Sequence, residues 1–101
     1  MIVKSAIKQP IEVKDYPVNY STWLSENTPT DTLVSGTTLI ECITTPGNTA
    51  LVVDNLVISP TGFVVWLSGG TADEVYKVSV TLTTDDGRVD QAELIISVVN
   101  F

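Results

Sequence analysis

The segment around Asp86-Gly87 restricts the possible folds more than any other part of the chain. Before it, every second residue is apolar, and these residues are Tyr76, Val78, Val80 and Leu82. After it, the same alternation returns in Ala92, Leu94, Ile96 and Val98. Strict alternation is typical of a half-buried antiparallel strand, and Asp-Gly favours a tight hairpin because Gly tolerates a positive φ. The sequence therefore predicts a β-hairpin with Gly87 at its turn.

Composition extends this prediction to the rest of the chain. Val, Ile and Thr number 15, 8 and 14 of the 101 residues, whereas Ala occurs only four times. Side chains branched at Cβ suit a pleated sheet and are restricted in a helix. Turn residues at Pro46-Gly47-Asn48 and at Ser59-Pro60-Thr61-Gly62 separate further short strands. We therefore predict an all-β fold, an immunoglobulin-like antiparallel β-sandwich of six to seven strands.

Tyr76 favours the immunoglobulin-like sandwich over a small barrel. It opens the penultimate predicted strand shortly after an acidic turn, Asp73-Glu74. This arrangement is typical of a tyrosine corner, in which the hydroxyl bonds to backbone upstream. The alternative is an ordinary aromatic side chain at the edge of the core. Cys42 is the chain's single cysteine, so no intrachain disulfide forms, and we expect it to be buried on a strand.

The first residues carry weaker strand signals, and Pro10 interrupts them. We interpret residues 1–14 as an extended N-terminal arm and residues 15–101 as the sandwich domain. The arm contains three of the five cationic residues and only one acid, Glu12. We expect Met1–Ala6 to be mobile in the free protein and to become ordered against a partner. Pro17 interrupts the first predicted strand of the domain, Asp15–Leu24, which predicts a position at a sheet edge.

Charge and missing residue types exclude several functions. The net charge is -7 and no three of the five cations cluster, which disfavours nucleic acid and anionic membranes as partners. The chain has no histidine, which removes histidine-dependent triads and the usual zinc ligands. We therefore expect no catalytic residues, no metal and no cofactor, and a protein that is not an enzyme. No apolar run approaches the roughly twenty residues of a membrane span, and we expect synthesis in the cytoplasm.

Four side chains are candidate interaction residues: Trp23, Trp66, Ile95 and Val99. Tryptophan is enriched as an anchor at protein interfaces, although burial in the core is the alternative for both. If Ala92 and its alternating partners face the core, Ile95 and Val99 face outward and indicate a partner patch. The alternative is that a second sheet or the N-terminal arm covers them.

Two blocks of sequence resemble a family of small phage structural proteins, the fibre–tail adaptors. The first block is Lys8–Tyr16 followed by Ser21–Leu24. The second is Val65–Ala72, followed by Tyr76–Val78, Thr83-Thr84 and Gly87-Arg88. The chain departs from the family pattern at Gln9 and Ile11, where acids are usual, and at Tyr20, where Trp is frequent.

The resemblance implies an immunoglobulin-like virion component of a tailed phage or prophage, made in the bacterial host's cytoplasm. It implies a place at the head–tail or tail–fibre junction, binding to other virion proteins and possible association between copies in the particle. Two other functions stay open: a module that binds carbohydrate or a host surface, and a bacterial immunoglobulin-like domain with no phage role. Exposure of the tryptophans separates the carbohydrate- or host-surface-binding module from an adaptor. The flanking genes separate the bacterial domain with no phage role from an adaptor.

Overall fold

Seven strands form two packed sheets in the computed structural model, which describes residues 2–100. The elements are β1 (Ile2–Lys8), β2 (Lys14–Asn19), α1 (Ser21–Leu24), β3 (Leu33–Cys42), β4 (Leu51–Ser59), β5 (Gly62–Gly69), β6 (Val75–Thr84) and β7 (Val89–Val98). One sheet has the order β1-β7-β6-β3 and the other the order β2-β5-β4. The predicted all-β sandwich is confirmed. Among the described residues, no helix has the length and apolarity needed to cross a membrane.

Strands β2 to β7 follow the order of the immunoglobulin fold. In that fold, strands A, B, E and D form one sheet and strands C, F and G the other. Here β2-β5-β4 corresponds to B-E-D, and β3-β6-β7 corresponds to C-F-G. One pairing differs from the antiparallel prediction, because β1 joins the free edge of β7 and runs parallel to it.

The residues expected to form the first part of an extended arm are this β1 strand. Its register runs from Ile2 opposite Ala92 to Lys8 opposite Val98. Lys4 and Lys8 lie on the same side of the strand as Ile2, which packs against the core. Because these two positions are charged, the sequence of β1 does not show the alternation of apolar and polar residues that is typical of a strand. Inward-pointing charges are a common feature of edge strands. Met1 lies outside the described residues, and the domain boundary at residue 14 stays a prediction.

The first predicted strand of the domain is shorter than expected. β2 ends at Asn19, and Ser21–Leu24 forms a single helical turn that buries Leu24. The Asn19 side-chain oxygen accepts a hydrogen bond from the Ser21 N–H at 2.7 Å, which redirects the backbone away from the sheet. Pro17 lies on β2, and β2 is an edge strand.

The core lies between the inward faces of the two sheets. The alternating residues of β6 and β7 are almost completely buried there, and they are Tyr76, Val78, Val80, Leu82, Ala92, Leu94, Ile96 and Val98. Cys42 is also buried. Burying one large apolar side chain stabilises a fold by about 1.5–3 kcal/mol, so this core fixes which residues point outward.

Two turns have the geometry that the sequence suggested. The buried Tyr76 hydroxyl accepts a hydrogen bond from the Thr71 N–H at 2.9 Å and donates one to Asn48 Oδ1 at 2.9 Å. It therefore ties the β6 strand to two preceding loops. Gly87 has a φ of 84° at the tip of the β6–β7 hairpin.

Candidate interaction surface

Strand β5 is apolar on both sides of its sheet. Phe63, Val65 and Leu67 point inward and are buried. Val64 and Trp66 point to the outer side, where 38% of the Trp66 surface is exposed. Antiparallel strands with one solvated side usually carry polar residues there. An apolar outer side on a central strand is typical of a surface that another molecule covers.

The register of the three-stranded sheet defines the surroundings of Trp66. One row across the sheet is Asp15, Trp66 and Asn55, and the next row is Pro17, Val64 and Val57. Val52 and Ser68 pair on the other side of Trp66. We call these eight outward residues the Trp66 face. Its exposed valines give an apolar surface around the indole.

Carboxylates border the Trp66 face on both flanking strands. Asp15 lies on β2 directly opposite Trp66. On β4, the register shifts between Val53 and Asn55, and Asp54 is the extra residue of this bulge. The Asp54 carboxylate accepts a hydrogen bond from the Ser68 hydroxyl at 2.8 Å. The face is therefore apolar at its centre and anionic at its margins.

An open groove continues the Trp66 face toward the β4–β5 turn. Its volume is about 390 Å³, and Pro17, Val64, Ser59 and Lys4 are among its lining residues. The Lys4 Nζ donates to the Pro17 carbonyl oxygen at 3.2 Å and brings a cation to one wall. The groove is a depression beside the outer side of the three-stranded sheet.

Trp23 lies elsewhere, on α1, and contacts side chains of its own chain. The Arg88 guanidinium carbon lies 4.1 Å from the centre of a Trp23 ring, which is a cation–π contact. Tyr20 packs edge-on against Trp23, with ring centres 5.6 Å apart and planes at 82°. Trp23 is half-buried, so residues of the same chain already cover part of its side chain.

Asp31 holds the arginine that covers Trp23. Its carboxylate accepts from Arg88 Nε at 3.1 Å and from the N–H groups of Thr32 and Asp86. Burial of this carboxyl raises its pKa, but the hydrogen bonds outweigh that effect and lower the pKa of Asp31 to about 2. Asp31 is therefore an anion at neutral pH and fastens its loop to the β6–β7 hairpin.

The other two candidates lie on the four-stranded sheet. Ile95 is half-buried on its outer side, between Ser5 on β1 and Lys77 on β6. Val99 follows β7, and its N–H donates to the Lys8 carbonyl oxygen at 2.9 Å. The predicted interaction residues therefore do not form one site, because Trp66 and Ile95 lie on opposite sides of the sandwich.

Sequence reasoning did not find the other members of the Trp66 face. Asp15, Val57 and Val64 become neighbours of Trp66 only through strand pairing, which no local pattern specifies. One signal was present: the run Phe63–Leu67 is apolar at every position, without the alternation that a solvated outer side produces. Among residues 2–100, no group of three or more Cys, Asp or Glu side chains is arranged to hold a metal ion.

Comparison with known proteins adds the family. No curated protein matches the chain. A family model described as podophage GP4 fiber-tail adaptor protein gp77 matches residues 8–97. Both resembling blocks, from Lys8 and from Val65 onward, lie within this range, so the resemblance is confirmed. The chain belongs to the podophage fibre–tail adaptor family.

Proposed function

We propose that this protein is a non-enzymatic structural adaptor that joins other virion proteins through protein–protein contacts, with the Trp66 face as one docking surface. Membership of the fibre–tail adaptor family supports a structural role and a place in the virion. The observation that carries the docking surface is the exposed Trp66 side chain at the centre of the outer side of the three-stranded sheet.

The Trp66 face has the properties of a binding surface for a protein. Tryptophan dominates many interfaces because one ring buries a large area, and apolar neighbours keep water away from it. Val64 and Val57 supply such neighbours. Because β5 pairs with strands on both sides, Trp66 lies on a rigid backbone, and little conformational entropy is lost on binding.

An adaptor contacts at least two partners, and the sandwich has a second outer side to offer. Ile95 lies in the middle of the four-stranded sheet, and Val3, Ile7 and Leu39 are exposed nearby on its two edge strands. We assign the second contact to this side. Two contacts on opposite sides suit a component placed between larger parts at the tail–fibre or head–tail junction.

Association between copies is a further part of the proposal, along the free edge of β3. The other edge strands carry features that block strand addition: the inward Lys4 on β1, Pro17 on β2 and the Asp54 bulge on β4. β3 keeps a regular register from Ser35 to Cys42. If copies associate through β3, light scattering should detect dimers of the wild-type chain. Leu39→Lys places a charge on this strand and should abolish them. The same molecular mass for both proteins would contradict association through β3.

The decisive experiment measures binding of the purified chain to the purified tail and fibre proteins of the same phage. Trp66→Thr keeps strand propensity and removes the indole, and it should weaken binding to one partner about 30-fold, as expected for an interface anchor worth about 2 kcal/mol. Ile11→Thr is the matched control, because Ile11 is an exposed apolar residue in the loop between β1 and β2 and lies on neither proposed surface. Equal affinities for wild type and Trp66→Thr would remove the Trp66 face from the proposal.

A carbohydrate- or host-surface-binding module is the second candidate. Asp15 and Asn55 flank Trp66, so a sugar stacked on the indole would find hydrogen-bonding groups on both sides. Binding of neutral oligosaccharides, measured by titration calorimetry, tests it. Saturable binding that Trp66→Thr abolishes, without binding to any virion protein, would favour this candidate over the adaptor.

A further inference from the structure

We propose that Trp66 and Asp15 together receive an arginine side chain from a basic segment of the partner virion protein. The inference rests on the proposed function and names the chemistry of the partner that docks on the Trp66 face. It is carried by the cross-strand pairing of these two residues, by an equivalent arrangement elsewhere in the chain, and by the distribution of charge.

The pairing sets the geometry. Asp15 on β2 lies directly opposite Trp66 on β5, and both are exposed on the outer side of the sheet. Directly opposite residues in an antiparallel pair have Cβ atoms about 5 Å apart. A guanidinium group stacked on the indole is therefore within reach of the carboxylate. Arginine suits both contacts at once, because its planar group stacks on aromatic faces while its N–H groups donate to a carboxylate.

The chain already contains this arrangement, filled by its own arginine. Arg88 lies 4.1 Å from the centre of the Trp23 ring and donates to Asp31 at 3.1 Å. Tryptophan, arginine and aspartate thus combine a cation–π contact with an ion pair at this position. In the Trp66 face, the tryptophan and the acid are present on neighbouring strands, and the arginine would come from another protein.

The charge distribution favours a basic partner over a second copy. The net charge is -7, and none of the eight residues of the Trp66 face is a cation. Lys4 reaches the face only at its edge, where its Nζ donates to the Pro17 carbonyl oxygen at 3.2 Å. Asp15 and Asp54 border its apolar centre. Two copies docked through this face would bring like charges together, whereas a segment with arginine between apolar residues matches both its centre and its margins.

The test uses a short peptide as the probe, acetyl-Thr-Val-Arg-Val-Thr-amide, with citrulline and glutamate versions as controls. Citrulline keeps the shape of arginine and removes its charge. Binding is followed by the NMR signal of the Trp66 indole N–H in the full chain. We expect saturable binding of the arginine peptide, with affinity lower by about three- to tenfold for citrulline, as the sum of an exposed cation–π contact and an exposed ion pair implies.

Variants of the chain separate the two contacts. Asp15→Asn should weaken the arginine peptide by about two- to fivefold and leave the citrulline peptide unchanged. Trp66→Phe keeps an aromatic ring with a weaker cation–π attraction and should also lower the preference for arginine. Because this variant lacks the indole N–H, its binding is followed by the backbone amide signals of β5. Glu26→Gln removes an exposed acid that follows α1, outside both proposed surfaces, and should change nothing.

Equal affinities for the arginine and citrulline peptides would overturn the inference, as would no Trp66 shift at millimolar peptide. A neutral oligosaccharide that moves the Trp66 signal more strongly, or self-association that Trp66→Thr abolishes, would also overturn it. These failures leave the proposed function intact if Trp66→Thr still weakens binding to the virion partner. The adaptor surface itself fails only if wild type and Trp66→Thr bind that partner with equal affinity.

Discussion

The ammonium group of Lys8 donates a hydrogen bond to the carbonyl oxygen of Gly69 at 2.6 Å and thereby joins β1 to the opposite sheet. It also donates to the Gln9 carbonyl oxygen at 2.9 Å, and the Lys8 side chain has no exposed surface. Burial lowers the pKa of Lys8. A buried lysine held by backbone carbonyls fixes the end of the first strand in place.

Replacing Lys8 with Met should destabilise the fold by about 1–3 kcal/mol. Met keeps most of the apolar stem, but the Gly69 and Gln9 carbonyl oxygens both lose the ammonium donor, and Gln9 keeps only the hydrogen bond from the Glu12 N–H. Lys14→Met is the matched control, because Lys14 is half-exposed and its ion pair with Glu12 at 3.5 Å lies at the surface. Urea denaturation measures both changes. A cost for Lys8→Met no larger than for Lys14→Met would show that the carbonyls are solvated.

Tyr76→Phe should cost about 1 kcal/mol with the fold retained. The change removes the hydroxyl that accepts from the Thr71 N–H and donates to Asn48, while the buried ring stays. Tyr16→Phe is the control, since the Tyr16 hydroxyl makes only a long 3.4 Å contact at the surface. If the two variants unfold at the same urea concentration, the corner hydroxyl contributes nothing.

Gly87→Val should lower stability by about 1 kcal/mol or more. The φ of 84° is a conformation that a residue branched at Cβ avoids. No neighbouring atom lies within 4 Å of a Cβ built at this position, so the cost comes from the backbone alone. Gly87→Asn is the control, because Asn tolerates the left-handed region. Equal thermal midpoints for the Val and Asn variants would contradict this account.

The fold was predictable where local pattern and tertiary structure agree. The β6–β7 hairpin combines alternation with Asp-Gly, and the structure pairs these strands from Val75 opposite Ser97 to Thr83 opposite Val89. β1 was less predictable, because Lys4 and Lys8 occupy positions that a half-buried strand usually gives to apolar residues. An edge strand pairs on one side only, and its sequence is correspondingly less constrained.

The candidate surface was predictable only as separate residues. Trp66 was identified from its residue type, but its neighbours come from β2 and β4, which lie about 50 and 10 positions earlier in the chain. Strand register brings Asp15 and Asn55 beside it, and register depends on the whole hydrophobic pattern. Trp23 was also predicted as an interaction residue, but Arg88 of the same chain covers one of its rings.

Acid should destabilise the protein as the pH falls from about 4 to about 2, partly through Asp31. Its pKa is lowered to about 2 in the folded state, against 3.8 for a free aspartate. Above about pH 4, Asp31 is ionised in both the folded and the unfolded protein, and its contribution to the free energy of unfolding is complete. Between about pH 4 and about pH 2, the unfolded protein binds the proton more tightly than the folded protein, so this contribution is lost as the pH falls. Asp31→Asn should flatten the stability–pH curve in this window. An unchanged slope would assign the acid transition to other carboxyls.

The last prediction concerns the first strand. The structure pairs Ile2–Lys8 with β7 from one side only, so the amides that point toward β7 should exchange slowly and the others quickly. Ile11 and Val13 follow outside the strand and are exposed, and their amides provide the reference for weak protection. Amide hydrogen exchange on a confirmed monomer, read by NMR, measures this pattern. Rapid exchange throughout residues 2–6 would instead restore the docking arm that the sequence suggested, with the strand forming only against a partner.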